Sequence, residues 1–203
     1  MAGSPHSGNP GAVPVAAQAL QDPAAGRTRL LRGQGQVTLA LRVARPADAA
    51  GIHRVLSAII REGDYLMSHE PPTLADYSHH LEGALALGAP VWVAVNDGAV
   101  IGWCDLHPRP EAALRDVGRI GVGVALIWRL QGLGRRLMQA VIEQAGLTGF
   151  RRIELEVFAD NSVAIGLYQT LGFMIEGRHT AVRPAPDGYR DTLSMALLLP
   201  EQP

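Results

Sequence analysis

Apolar and polar positions follow two rhythms along this chain, period two and period three to four, and the switches between them mark a sheet interleaved with helices. Residues 37–43 read as a first strand. Ile52, Val55, Leu56, Ile59 and Ile60 then recur at i, i+3, i+4, i+7 and i+8, an amphipathic stripe that predicts a helix over 47–62. Met67-Ser68-His69-Glu70-Pro71-Pro72 breaks that pattern. Thr73 with Asp76 three residues on has the spacing of a capping box for a second helix, whose inner face would be Leu74, Tyr77, Leu81 and Leu85. Two apolar runs, 91–95 and 100–106, flank Asn96-Asp97-Gly98, which predicts a hairpin because Asn, Asp and Gly tolerate the positive φ of tight turns. A loop from His107 to Arg115 leads to a fourth strand over 118–125.

In the second half, Leu133, Leu137, Met138, Val141, Ile142 and Ala145 share one helical face, opposite Arg135, Arg136, Gln139 and Glu143. Strict alternation follows over 152–158, with Ile153, Leu155 and Val157 on one side and Glu154 and Glu156 on the other. Asp160-Asn161-Ser162 starts a last helix with Ala164, Leu167, Tyr168 and Leu171 on one face, ended by Gly172. Residues 173–177 and 192–199 supply two closing strands joined through a turn at Asp187-Gly188. The predicted fold is α/β (α+β): a mixed, mostly antiparallel sheet of about seven strands with helices on both faces, running β-α-α-β-β-β-α-β-α-β-β.

Between the fourth strand and its helix lies Arg129-Leu130-Gln131-Gly132-Leu133-Gly134. Glycines in a strand-to-helix turn expose backbone N–H groups at the positive end of the helix dipole, where phosphate oxygens bind without side chains. Spacing alone is equally compatible with an ordinary tight corner.

Composition narrows the rest. At 47% hydrophobic and 18% charged, 203 residues suit one globular domain, here 36–203. Residues 1–35, rich in Gly, Ala, Pro, Ser and Gln, read as a disordered tail or as a start codon assigned too early. A net charge of -1 gives no electrostatic case for nucleic acid or an anionic membrane. All 18 basic residues are Arg, a sign of codon bias. Cys104 is the single cysteine, so an internal disulfide framework is excluded and a reducing cytoplasm is the expected location. No apolar run approaches the roughly 20 residues of a membrane span. The absence of a His-Glu-x-x-His run or similar carboxylate and histidine spacing argues against a metal site.

Element order and two motifs resemble the GCN5-related N-acetyltransferase (GNAT) family. The first motif is the Arg129 to Gly134 turn; the second is Asn161-x-x-Ala164-x-x-Leu167-Tyr168-x-x-x-Gly172-Phe173. The resemblance covers about 37–199, and its closing segment, from Ile175 through Asp187-Gly188-Tyr189-Arg190-Asp191 to Ala196, is most similar to the branch that acetylates free amino acids. It implies the GNAT-like acyl-CoA N-acyltransferase fold and acetyl-CoA as co-substrate. The pyrophosphate would lie on the N–H groups of Leu130, Gln131, Gly132, Leu133, Gly134 and Arg135, with Arg129 or Arg135 adding charge and Asn161 part of the second motif. The pantetheine arm would follow Val122 and Val124. Glycines at 132 and 134 agree, since neither places a Cβ in the way of phosphate.

By the same resemblance Tyr168 would be the general acid. A phenol, with a reference pKa near 10 against roughly 8.5 for a thiol, is a reasonable proton source for a departing thiolate. Many relatives carry a carboxylate in the fourth strand where this chain has Arg119, so the base falls to Glu156 or a water chain. Glu156 and Tyr168 have the spacing of the branch that acetylates protein N-termini. Ala125-Leu126-Ile127-Trp128 replaces the family's His-Pro-Asp-Tyr run, and Leu130 replaces a glycine, which puts the loop's path in question. His69, Glu70, His79 and His80 are candidates for the acceptor pocket. The predicted activity is acetylation of a small primary amine, an amino acid or analogue, with protein N-terminal acetylation or a non-catalytic CoA-binding module as alternatives. Relatives often form dimers, so a homodimer is compatible. A Rossmann dinucleotide site is disfavoured because the turn follows the fourth strand and not the first.

Overall fold

The computed structural model describes residues 29–31, 39–185 and 188–200. In chain order the elements are β1 (Arg29–Leu31), β2 (Leu39–Val43), α1 (Ala49–Glu62), α2 (Leu74–Ala86), β3 (Val91–Asn96), β4 (Ala99–Pro108), β5 (Val117–Val124), α3 (Leu133–Leu147), β6 (Arg152–Phe158), α4 (Ser162–Thr170), β7 (Met174–Ala185) and β8 (Gly188–Leu198). They build one eight-stranded sheet in the order β1-β2-β3-β4-β5-β6-β8-β7. Neighbours are antiparallel except β5 and β6.

Alternation along the central strands sets the layers. Val91, Val93 and Val95 of β3 pack with Ile52, Val55 and Ile59 of α1 and Tyr77 and Leu81 of α2. Ala94 faces the other way, with Cys104, Leu106 and the Leu137, Met138, Val141 stripe of α3, and α4 joins this second layer through Leu167 and Tyr168. A period of two on the strands thus meets a period of 3.6 on two helices per face.

The predicted cap of α2 and the predicted hairpin turn are present. Thr73 accepts a hydrogen bond from the Asp76 N–H at 3.1 Å and opens α2. The hairpin turn is Asp97-Gly98, with φ of 47° and 80°, as a two-residue turn matched to strand twist requires. Leu74, predicted to face inward, is 45% exposed at the very start of α2, and Ala84 lies in the buried layer instead.

Three differences concern extent. Within the predicted tail, Arg29–Leu31 pair with Leu39–Leu41 as a short edge strand; residues 1–28 and 32–35 lie outside the described residues, as do 37 and 38 of the predicted first strand and Asp187 of the predicted turn. The closing strands are longer than predicted, because 178–191 lack an apolar alternation and their ladder is sustained by polar contacts. Arg178 pairs with Asp191 at 2.7 Å, and Asp191 also accepts from the Ala181 N–H at 2.8 Å. Register shifts after Ile175 and His179 further hide the period of two.

One close approach shapes the middle of the sheet. Gly123 of β5 pairs with Trp103 of β4, and a Cβ at Gly123 would overlap the Trp103 ring and meet Ile59 at 2.8 Å. The missing side chain lets the indole lie across β5 under α1. Gly123→Ala is therefore expected to destabilise the protein by about 1–3 kcal/mol through overpacking, read as a lower urea midpoint at constant m. An unshifted midpoint would show that Trp103 moves aside at no cost.

Candidate active site

The two parallel strands part company early. β5 and β6 are paired only at Val117 with Arg152, Gly118 with Ile153 and Arg119 with Glu154. Beyond Arg119 both strands continue, β5 to Val124 and β6 to Phe158, without a shared ladder. A wedge opens between them at their carboxyl ends, where α3 and α4 begin.

The mouth of the wedge is the turn into α3. A short 3-10 turn, Leu126–Trp128, is followed by extended Arg129, then by Leu130 at φ 60° and Gly132 at φ 78°. The first N–H to bond back into the helix is that of Arg136, to the Gly132 carbonyl at 3.2 Å. Among the described residues, the N–H groups of 130–135 have no intramolecular acceptor. Left-handed backbone at Leu130 and Gly132 beside free amides is the kind of concavity that anions fit. Leu130, which stands where the family has a glycine, adopts the left-handed conformation despite its Cβ, at a strain of roughly 1–2 kcal/mol. Leu126, Ile127 and Leu130 point out, at 67%, 79% and 87% exposure.

Arg129 and Gln131 tie the turn to its surroundings. Arg129 donates through Nε to the Val124 carbonyl at 2.9 Å and through Nη1 and Nη2 to Glu62 at the end of α1, at 2.7 and 2.8 Å. Its guanidinium lies 4.9 Å from the centre of the Tyr65 ring. The hydrogen bond to Glu62 is the main cause that raises its pKa further. Gln131 donates to the Ile127 carbonyl at 3.0 Å, and Leu133 is buried. Arg135 is exposed. Gly134 faces Leu167 and Val124, at 3.6 and 3.9 Å from where a Cβ would stand. Val122 and Val124 are half-buried against the α3 layer.

Tyr168 sits in the α3 and α4 layer, beside Cys104 of β4. Asn161 caps α4, accepting from the Ala164 N–H at 3.1 Å, and Tyr168 packs at 6.0 Å, centre to centre, from Phe173. Burial, and after it the neighbouring Cys104, push the phenol up to about 12. Cys104 is itself raised well above the ordinary thiol range, by burial and then by Asp105. Among the described residues the Tyr168 hydroxyl makes no hydrogen bond.

Glu156 reaches the wedge from the opposite face. It lines a cavity of about 580 Å³ beneath α1, α2 and their connection, together with Arg119, Tyr65, His80, Phe158 and Thr192. Buried Thr192 donates to Glu156 Oε1 at 2.6 Å. Of the four predicted pocket residues, only His80 is on the wall. His69 Nδ1 lies 3.3 Å from Arg183 Nη2, and Glu70 and His79 are exposed outside the lining.

The sequence model of the acetyltransferase (GNAT) family matches residues 52–173, a span that holds the wedge, the amide turn, Glu156 and Tyr168. This chain belongs to the GNAT family. It is 28% identical over 144 residues, 70% of this chain and 84% of the relative, to the L-methionine sulfoximine/L-methionine sulfone acetyltransferase of Pseudomonas paraeruginosa. It is 36% identical over 86 residues, 42% of this chain and 53% of the relative, to an L-amino acid N-acetyltransferase of Escherichia coli. The solved ribosomal-protein-alanine N-acetyltransferase from Brucella melitensis superposes with a TM-score of 0.74 at 26% identity, over 78% of this chain and 99% of that one. The protein is accordingly an acetyl-CoA-dependent N-acetyltransferase, and its mostly antiparallel sheet with helices on both faces is the GNAT fold. No helix among the described residues is long and apolar enough to cross a membrane.

Within this GNAT site some features escaped sequence reasoning. Asp105 and His107 stand two apart on β4 and form an ion pair at 3.2 Å, with the His107 ring 4.6 Å from that of His80 on the cavity wall. Burial opposes charge on His107, but the hydrogen bond and charge of Asp105 outweigh it and raise its pKa; burial, then His107, lower that of His80. The i, i+2 spacing on a strand was the available signal. Phe158 lies between Arg190 and Arg183, 4.1 and 5.3 Å from its ring centre, a contact between distant segments that no local pattern announces.

Proposed function

We propose that this enzyme acetylates the amino group of a free amino acid or a close analogue, with Glu156 or a water chain relieving the ammonium of its proton and Tyr168 serving the leaving thiolate. The observation that carries the reading is the cavity of about 580 Å³ behind the wedge, with Glu156 on its wall, a volume suited to one small ligand. Similarity to a methionine sulfoximine acetyltransferase over 84% of that relative points to the same acceptor chemistry.

Acetyl-CoA supplies a thioester whose carbonyl carbon accepts the amine nitrogen as the bond to sulfur breaks. The free amides of 130–135 fit its pyrophosphate, and the space beside Gly132, where nothing lies within 4 Å of an added Cβ, admits a phosphate close to the backbone. The wedge beside Val122 and Val124 fits the pantetheine arm, and Arg135 stands at the rim. Arg129 acts at one remove, by tying the turn to α1 through Glu62.

Thr192 holds Glu156 Oε1, which leaves Oε2 to receive the proton of the incoming ammonium. Tyr168, from the other face, gives its hydroxyl proton to the sulfur. Its pKa of about 12 would be poor for an acid facing a thiolate in water. Burial raises the adjacent Cys104 thiol in the same direction, as it would a leaving thiol held in a place equally shut off from water. Dependence on acetyl-CoA agrees with a cytoplasmic location.

A second reading, acetylation of a protein N-terminus, has the Glu156 and Tyr168 spacing and the Brucella melitensis structure in its favour. Thiol release from acetyl-CoA across free amino acids, methionine sulfoximine, polyamines, aminoglycosides and N-terminal peptides separates the two. We expect amino acids or the sulfoximine to exceed the others by at least about tenfold in kcat/KM, as recognition of a small ligand in a cavity of this size allows. Faster turnover of peptides would overturn the amino-acid reading.

A further inference from the structure

Arg119 stands at the vertex of the wedge, the last residue of β5 to pair with β6. Its Cα partner there is Glu154, and Glu156 lies two residues further along β6, so all three side chains fall on the α1 and α2 face of the sheet. Arg119 and Glu156 both line the cavity.

The surrounding charges already have partners. Glu154 is held by Arg152 at 2.7 Å and Arg109 at 3.8 Å, Asp105 by His107, and Asp76 by the Thr73 hydroxyl at 2.7 Å. Arg183 donates to the carbonyls of Gly63 and Leu66, Arg190 to Asp160, and Arg129 to Glu62. Among the described residues the exposed Arg119 side chain makes neither a hydrogen bond nor an ion pair. It is the only arginine among the described residues on the cavity wall. A guanidinium with all its donors free, across the wedge from a carboxylate whose Oε2 is free, is complementary to a zwitterion. The ammonium belongs beside Glu156, the carboxylate on Arg119, and the acceptor's side chain against Leu56, Ile60 and Tyr77.

We infer that Arg119 binds the acceptor's carboxylate and restricts the enzyme to amines that carry an anionic group next to the nucleophile. This rests on the amino-acid reading and adds to it that an amino acid's carboxamide is a poor substrate. The experiment compares kcat and KM for one turned-over amino acid and for its carboxamide, with wild type, Arg119→Gln and Arg119→Lys. In wild type the amino acid is favoured about 10- to 100-fold in kcat/KM, mostly through KM, as for a charged hydrogen-bonded pair. Arg119→Gln brings that ratio close to one by raising the amino acid's KM, and Arg119→Lys restores part of it.

Equal use of acid and carboxamide by wild type overturns the inference, and does so even if the variants fail to fold. A ratio that survives Arg119→Gln overturns it too, as does a parallel loss on both substrates, which would mark a structural role. These outcomes differ from failure of the amino-acid reading itself, in which peptides exceed amino acids with the wild-type enzyme.

Discussion

Tyr168→Phe is expected to lower kcat by about 10²- to 10⁴-fold, the usual contribution of a positioned general acid, with the affinity for acetyl-CoA nearly kept. The substitution preserves the ring that packs on Phe173 and removes only the hydroxyl, which has no intramolecular hydrogen bond among the described residues. Fold and cofactor site should therefore survive, and the loss should fall on the step in which sulfur departs. Because the phenol is pushed up to about 12 by burial, it stays protonated at any pH at which the enzyme is assayed. Tyr168 should contribute no alkaline limb below about pH 10, and any limb found there belongs to another group. Single-turnover rates and calorimetric CoA binding check both halves; unchanged turnover removes Tyr168 from the mechanism.

Gly132→Val should raise the Kd for CoA by about a hundredfold, or roughly 2.7 kcal/mol. Gly132 takes φ 78°, a conformation that costs an L-residue roughly 1–2 kcal/mol and a β-branched one more. Relief of that strain would swing the amides of 130–135 away from a common focus. If the turn resisted, the new methyl groups would stand in the open space beside the backbone, where nothing now lies within 4 Å. Either route reduces phosphate binding. Gly134 would be a less direct probe, since an added Cβ there meets Leu167 and Val124 at ordinary contact distance and reports on helix packing. An unaltered affinity for CoA in Gly132→Val would mean that the pyrophosphate is not on this turn.

These two positions stood out in the sequence for different reasons. Gly132 belongs to a short strand-to-helix signature whose meaning is a backbone conformation, and backbone conformation is a local property. Tyr168 was legible only through the surrounding Asn161 to Phe173 motif, because a tyrosine on an apolar helix face is ordinarily core. Glu156 came from strict alternation on β6, which assigned it a face without saying what that face adjoined. Arg129 shows the opposite limit. Its neighbours in sequence suggested a phosphate ligand, yet its partner is Glu62, 67 residues away, and several other arginines could have filled that place on sequence grounds alone.

Periodicity, capping residues and turn chemistry determined the order of helices and strands, the two-sided burial of the sheet and the position of the amide turn, since each depends on residues within one or two turns of one another. The length of β7 and β8, the pairing of Asp105 with His107, the cavity under α1 and α2, and the meeting of Arg119 and Glu156 on its wall were decided only in three dimensions. Sequence carries the face a side chain points to. Strand register across the sheet decides which distant side chain it meets there, and so which charges are neutralised and which are left for a substrate.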